Sequence, residues 1–407
     1  MTLRAVELFA GVGGLAMGVG LAGFQSLAVV EWDKSACETL RLNRSRKFPL
    51  VDNWAISESD VRAVEWSAIP KDVELLAGGP PCQPFSMGGK HKAHDDSRDM
   101  FPAAVDIVRK LQPQAFIFEN VKGLTRASFA NYYQYILLQL EFPDAPRRSR
   151  EEWFTHLMRL QGIKTSRTAR NQGLSYNVVP TLINAADFGV PQRRERVFIV
   201  GFRSDLEIDW RFPLATHSED ALLRDQWVTK NYWDRHQMAV KQRPSPPLIQ
   251  GRRIRDLHQE DFAGLKPWRT VRDALVGLPE PQSRAAAHIS GHSYQGGAKI
   301  YPGHTGSPMD QPAKTIKAGD HGVPGGENML VYPDGSVRYF SVREAARIQT
   351  FPDGFVFHGS WSETMRQLGN AVPVALARIV ASSVAQSLIE AQCRTLASHA
   401  HEKVLVA

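Results

Sequence analysis

Six short apolar runs punctuate the first half of the chain, at residues 3–9, 26–31, 73–77, 115–119, 176–184 and 196–201. Each has the length of a strand, and helical patterns lie between several of them, as at 14–22 and 102–111. Strands that alternate with helices bury both faces of a sheet by packing helices on each side. The expected fold class is therefore α/β, a doubly wound Rossmann-like sheet. Ligands of such sheets bind outside the carboxyl ends of the strands, so the residues just after each run carry the functional reading.

The chain has 407 residues, ample for one large or two modest domains. From about residue 206 to 340 the texture changes: Pro, Gly, His and Arg become frequent and periodicity disappears. Helical patterns return at 342–349 and 373–392, with Val374, Ile379, Val380, Val384 and Leu388 as expected core contacts of the last. The expected division is a catalytic domain of residues 1–205 plus 365–407 and a smaller, loop-rich domain with its hinge at 206–364.

Net charge is +7, and the excess is uneven. Residues 143–175 carry Arg147, Arg148, Arg150, Arg159, Lys164, Arg167 and Arg170 against Asp144, Glu151 and Glu152, and Arg252, Arg253 and Arg255 lie close together further on. Clustered arginine suits a polyanion, because each phosphate contact releases counterions; it equally suits a solvated surface. Cys37, Cys82 and Cys393 are scattered without a paired spacing, so no metal site and no disulfide framework is expected, and a reduced, cytoplasmic compartment fits. No apolar run reads as long enough to span a bilayer.

Several strand ends carry chemistry. Gly78-Gly79-Pro80-Pro81-Cys82-Gln83-Pro84-Phe85-Ser86 puts one cysteine in a loop stiffened by three prolines. That suits a thiol held for attack, although free cysteine is also a common buried hydrophobe. Phe9-Ala10-Gly11-Val12-Gly13-Gly14 turns a strand into a helix, and Glu31 ends the next strand, where a carboxylate binds ribose hydroxyls. With Ala16 in the third slot the pattern is open between NAD and S-adenosylmethionine. Asp60, ahead of Val61, is either a partner for an adenine amino group or a surface aspartate. Glu119 ends a strand on the same rim as Cys82, and alternation places Arg194 and Arg196 on one face if a strand starts there.

Together these pieces resemble one family, the DNA cytosine-5 methyltransferases of bacterial restriction-modification type. The ordered set continues with Glu31-Trp32-Asp33, Asp60-Val61, Glu119-Asn120-Val121, Gln192-Arg193-Arg194-Glu195-Arg196, Arg343-Glu344-Ala345-Ala346-Arg347 and Gly369-Asn370-Ala371-Val372-Pro373. The resemblance covers nearly the whole length. It implies that Cys82 adds to a flipped-out cytosine of duplex DNA, that Glu119 holds and protonates the ring, and that Arg194 binds the base carbonyl and helps orient Glu119, with Arg196 its partner in the pocket. S-adenosylmethionine, leaving as S-adenosylhomocysteine, would lie among Phe9, Gly11, Val12, Gly13, Glu31, Trp32, Asp60, Val61, Pro81, Asn370 and Val372. DNA contacts are expected from Ser86, Lys90, Lys92, Gln192, Lys314, Thr315 and Lys317.

By the same resemblance the loop-rich region is a target-recognition domain, and residues 317–329 are similar to enzymes reading sites with a CCGG core. A monomer acting in the bacterial cytoplasm on the nucleoid is expected, with a cognate restriction endonuclease acting separately and no membrane. Residues 140–176 contain extra sequence relative to compact family members, helical at 149–163, that either extends the DNA footprint or decorates the surface. An RNA methyltransferase, a non-catalytic DNA-binding protein and an NAD oxidoreductase are the alternatives.

Overall fold

The computed structural model describes residues 2–81, 99–166, 173–257, 264–318 and 328–405. Strands β1 (Leu3–Leu8), β2 (Phe24–Glu31), β3 (Ile56–Glu58), β4 (Leu75–Gly78), β5 (Ala115–Val121), β6 (Tyr176–Asn184) and β7 (Glu195–Arg203) form one sheet in the order β3-β2-β1-β4-β5-β7-β6. The first five are mutually parallel; β7 runs antiparallel between β5 and β6. The doubly wound sheet expected from the alternation is present. Its final pair is a hairpin-like addition, because β6 and β7 are joined by a connection of ten residues rather than a crossover helix.

The strands are apolar on both faces, as sheets covered twice must be. On one face α3 (Phe101–Leu111), α4 (Ala130–Glu141) and α5 (Trp153–Thr165) pack against Val6, Leu8, Leu76, Phe116 and Phe118. On the other, α1 (Gly14–Leu21) and the final helix, Val374–Leu405, cover Leu3, Ala5, Leu75, Ala77 and Ile117. Each fully buried large apolar side chain contributes roughly 1.5–3 kcal/mol. Leu376, Val380, Val384 and Leu388 of the final helix are wholly buried, while Ile379 is partly so. The segment Trp361–Ala397 has the length and apolarity to cross a bilayer, contrary to the sequence expectation. Its apolar face lies against the sheet instead.

A third core joins α1 and α2 (Lys34–Ser45) to the later chain: Val12, Met17, Leu40 and Trp54 pack with Ile316, Leu330, Phe340, Ala346 and Leu368. Ile208, Trp210 and Phe212 pack into the core beneath the final helix, with Trp210 Nε1 donating to Ser383 Oγ at 2.9 Å. Within residues 217–339 the strands are short: His217–Ser218 beside Lys266–Pro267, and Ser307–Pro308, Met329–Val331 and Val337–Tyr339 in a three-stranded sheet.

The helix expected over 149–163 begins four residues later, at Trp153. Arg150 takes a left-handed backbone (φ 63°), which no helix tolerates, and the Glu151 carboxylate holds the backbone N–H of Arg148 at 2.8 Å.

Candidate active site at the strand ends

The carboxyl ends of β1, β2, β4 and β5 share a rim because these strands are parallel. After β1 the chain turns at Phe9, Gly11 and Gly13, all with positive φ (53°, 54° and 80°). A side chain at Gly13 would sit 2.7 Å from the Trp54 ring, whereas one at Gly11 would meet open space. Gly11 therefore leaves a cradle beside its backbone, and Gly13 packs the turn inward. Glu31 ties this turn to β2: its carboxylate accepts N–H bonds from Gly11 (2.6 Å), Trp32 (2.9 Å) and Asp33 (2.7 Å). Burial raises the Glu31 pKa, and those donors partly offset the rise.

Trp32 projects its indole into solvent, 72% exposed, an unusual place for so large an apolar group. Asp60 is held by Arg62 through bonds of 2.5–3.1 Å, which lowers its pKa, while Val61 is buried. Val372 is buried, and its carbonyl lies 2.2 Å from where a Gly14 side chain would begin; Asn370 is exposed nearby in sequence. Val12 is fully buried under the turn and Pro81 is exposed. The turn, Glu31 and Trp32 thus form an open, partly apolar edge with a carboxylate. Its residues fit a nucleoside with free ribose hydroxyls.

Cys82, Ser86, Lys90 and Lys92 lie outside the described residues. The stem of their loop is anchored. Asn120 Nδ2 donates to the Pro80 carbonyl at 2.9 Å, and the Pro81 carbonyl accepts Met100 N–H at 3.1 Å. The sequence reading gave Asn120 no role; its position next to Glu119, on a strand neighbouring β4, was the available signal. Cys37 is a buried thiol whose pKa burial and Glu31 push up to about 12, which suits packing rather than nucleophilic work.

Glu119 is 7% exposed, and its Oε1 lies 2.8 Å from Arg196 Nε. The register explains the pair. Glu119 stands opposite Phe198 and Arg196 opposite Val121, so Glu119 and Arg196 are diagonal neighbours on one face. Arg194, expected to bind the base carbonyl and help orient Glu119, is near enough to Glu119 to feel its charge but forms no ion pair with it. Residue 194 lies beyond the end of β5, so it has no strand residue opposite. Its buried guanidinium donates instead to the carbonyls of Ile316 (3.2 Å), Gly369 (2.9 Å) and Ala371 (3.0 Å). Burial and then the neighbouring Arg196 lower its pKa well below the usual range.

Gln192, expected to contact DNA, lies in the same interior cluster. It is fully buried, donating to Gln349 (3.1 Å) and accepting Ile316 N–H (3.0 Å), so its amide is engaged with protein rather than presented at the surface. Gln192 and Arg194 together clamp residues 313–317 onto the catalytic rim. On that segment Thr315 Oγ1 donates to the Arg193 carbonyl at 2.8 Å, Lys314 Nζ reaches Thr305, and Lys317 is exposed, with Asn328 bracketing its backbone. Among the described residues no group of three or more His, Cys, Asp or Glu could hold a metal ion.

The family model for C-5 cytosine-specific DNA methylase matches residues 3–143 and 168–386. The chain is 29% identical to the type II methyltransferase M.NgoPII of Neisseria gonorrhoeae, over 95% of this chain and 96% of that one. It is 31% identical to M.Eco47II of Escherichia coli, over 94% and 79% respectively. Among solved structures it resembles the S. pombe Dnmt2 methyltransferase (TM-score 0.52, 16% identity, 95% and 98% covered). It also resembles the Entamoeba histolytica methyltransferase EhMeth (TM-score 0.54, 12% identity, 95% and 99% covered). With the family model spanning most of the sequence, the chain belongs to the C-5 cytosine-specific DNA methylases, and it is a DNA cytosine-5-methyltransferase.

Proposed function

We propose that this enzyme methylates carbon 5 of one cytosine within a short duplex sequence, through a covalent adduct of Cys82 to a flipped-out base, as the modification arm of a restriction-modification system. The observation that carries the reading is the buried Glu119–Arg196 pair on the rim where the Pro80-Pro81 stem delivers the Cys82 loop. The target carbon is out of reach inside a stacked duplex, and extruding the base costs roughly a few kcal/mol that pocket contacts must offset.

S-adenosylmethionine, when bound, supplies an electrophilic methyl group. Glu31 and Trp32 would hold its ribose and adenine, with Phe9, Gly11, Val12, Gly13, Asp60, Val61, Pro81, Asn370 and Val372 completing the site. The Cys82 thiolate forms a bond to carbon 6 while Glu119 gives a proton to ring N3, so that carbon 5 becomes enamine-like and nucleophilic. Arg196 fixes the Glu119 carboxyl and would meet the base carbonyl. Once carbon 5 is methylated, its proton leaves to a base, the carbon–sulfur bond breaks to release the Cys82 thiolate, and N3 returns its proton to Glu119. Arg194 and Gln192 act at a distance, holding the recognition segment in place.

Residues 206–364 would supply target recognition, with Lys314, Thr315 and Lys317 facing DNA, and residues 1–205 with 365–407 the chemistry. Ser86, Lys90 and Lys92 would contact phosphates. A monomer in the bacterial cytoplasm, with a separate endonuclease, completes the proposal. Incubation with methyl-labelled S-adenosylmethionine and duplex DNA should yield labelled 5-methylcytosine after nucleoside digestion. Label in RNA alone, or none in DNA, would overturn it.

A further inference from the structure

The family model leaves residues 144–167 unmatched, and this segment has its own architecture. Helix α4 starts near the end of β5 and descends the sheet. Trp153, at the start of α5, packs on Tyr132 and Tyr135 (ring centroids 5.9 and 5.7 Å), whereas Lys164, near its end, pairs with Glu141 at 2.6 Å. Helix α5 therefore runs in the same direction as α4, and residues 142–152 carry the chain back toward the catalytic rim. His156 fixes this return by bonding Tyr135 Oη (2.8 Å) and the Ala145 carbonyl (2.7 Å). Tyr132 in turn donates to Asp99, the first residue described after the Cys82 loop, and Asp99 accepts the N–H of Phe101, the first residue of α3, at 3.1 Å.

The basic side chains of the described segment divide into two sets. Arg159 is neutralised by Glu151 (2.9 Å) and Lys164 by Glu141. Arg147, Arg148 and Arg150 are exposed, and among the described residues none has an ion-pair partner. Glu151 is spent on Arg159 and on the backbone of Arg148, and the exposed Glu152 forms no ion pair with the three guanidinium groups. They belong to the α3–α5 face, whereas Ile316 of the clamped segment packs with Val12 and Met17 of the α1 side.

Resting on the proposed action on duplex DNA, we infer that Arg147, Arg148 and Arg150 form a phosphate-binding arm that grips the duplex beside the target base from the side away from the recognition segment. The arm adds affinity without sequence choice. Guanidinium forks match phosphate oxygens, and no base-reading geometry is required of them. Each phosphate contact contributes about −0.9 to the slope of log affinity against log salt, so three contacts contribute up to about −2.7.

The test compares the full chain with R147A/R148A/R150A and with R147Q/R148Q/R150Q, measuring binding to an arbitrary duplex across a salt series and mapping methylated sites by bisulfite sequencing. The expected result is a slope shallower by about 2–3 in both variants, weaker binding to all sequences alike, and an unchanged methylated sequence. An unchanged slope in either folded variant, or a changed methylated sequence, overturns the arm. Failure of the unaltered chain to bind or methylate duplex DNA would strike the proposed function, so the two failures are distinguishable.

Discussion

At the scale of single residues the proposed chemistry turns on Glu119 and Arg196. Removing one partner of a buried pair leaves an uncompensated charge, a loss of about 3–5 kcal/mol. Arg196→Gln should therefore both destabilise the protein and lower the methylation rate. Glu119→Gln keeps the shape but cannot deliver the proton, and general acid catalysis is worth roughly 10²–10⁴-fold. Its rate should fall by that order while S-adenosylmethionine binding, measured calorimetrically, persists. Arg194→Lys should instead act through the clamp, weakening DNA binding more than it slows chemistry, as a KM-against-kcat comparison reads. The sequence made the strand-end carboxylate and the two arginines legible, because alternation points residues two apart to one face. It did not reveal which arginine meets Glu119, since that depends on where β5 stops relative to β7, a matter of cross-strand register. The burial of Gln192 was hidden for a similar reason: its partners Gln349 and Ile316 are more than a hundred residues away.

At the scale of elements, glycines and caps set how segments meet. A side chain on Gly369 would stand 2.2 Å from the backbone nitrogen of Ala318, so the Lys317-Ala318 backbone crosses directly over the end of the helix Trp361–Asn370. Gly369→Ala should cost roughly 1–3 kcal/mol in chemical denaturation and loosen the clamp made by Arg194. The Arg343-Glu344-Ala345-Ala346-Arg347 motif has a structural explanation in the same terms. Glu344 caps its own helix through Ser341 and forms a buried bidentate pair with Arg338, while Arg343 donates to the carbonyls of Ser290, Pro352 and Phe355. Asp273 offers a pH test. It caps the helix Val271–Leu275 and receives His236; its burial alone would raise its pKa, but these donors lower it to about 2. Since the folded value lies below the unfolded value of about 3.9, the stabilisation is complete above that pH and is lost as pH falls toward 2. Thermal unfolding between pH 5 and 2 should show Asp273→Asn less stable at the upper end, by about 2 kcal/mol or less, with the difference shrinking toward the lower.

At the scale of the molecule, a rigid two-faced sheet positions one rim, and later sequence closes over it. The alternation of runs revealed the sheet and the glycine turn, since both follow from local pattern. The antiparallel β7 and the return of residues 142–152 were not readable, because they depend on long-range packing onto Tyr132 and Tyr135. Exchanging residues 206–364 with those of another family member should move the methylated site while Cys82 chemistry continues; retention of the old site would contradict the proposed division. The central claim, sequence-specific methylation of carbon 5 through Cys82, meets its most direct test in bisulfite sequencing of DNA from cells expressing the chain or Cys82→Ser. Protected cytosines are expected at one fixed position of one short sequence with the unaltered chain and none with the variant. Protection that survives in Cys82→Ser, or no protection with the unaltered chain, would contradict it.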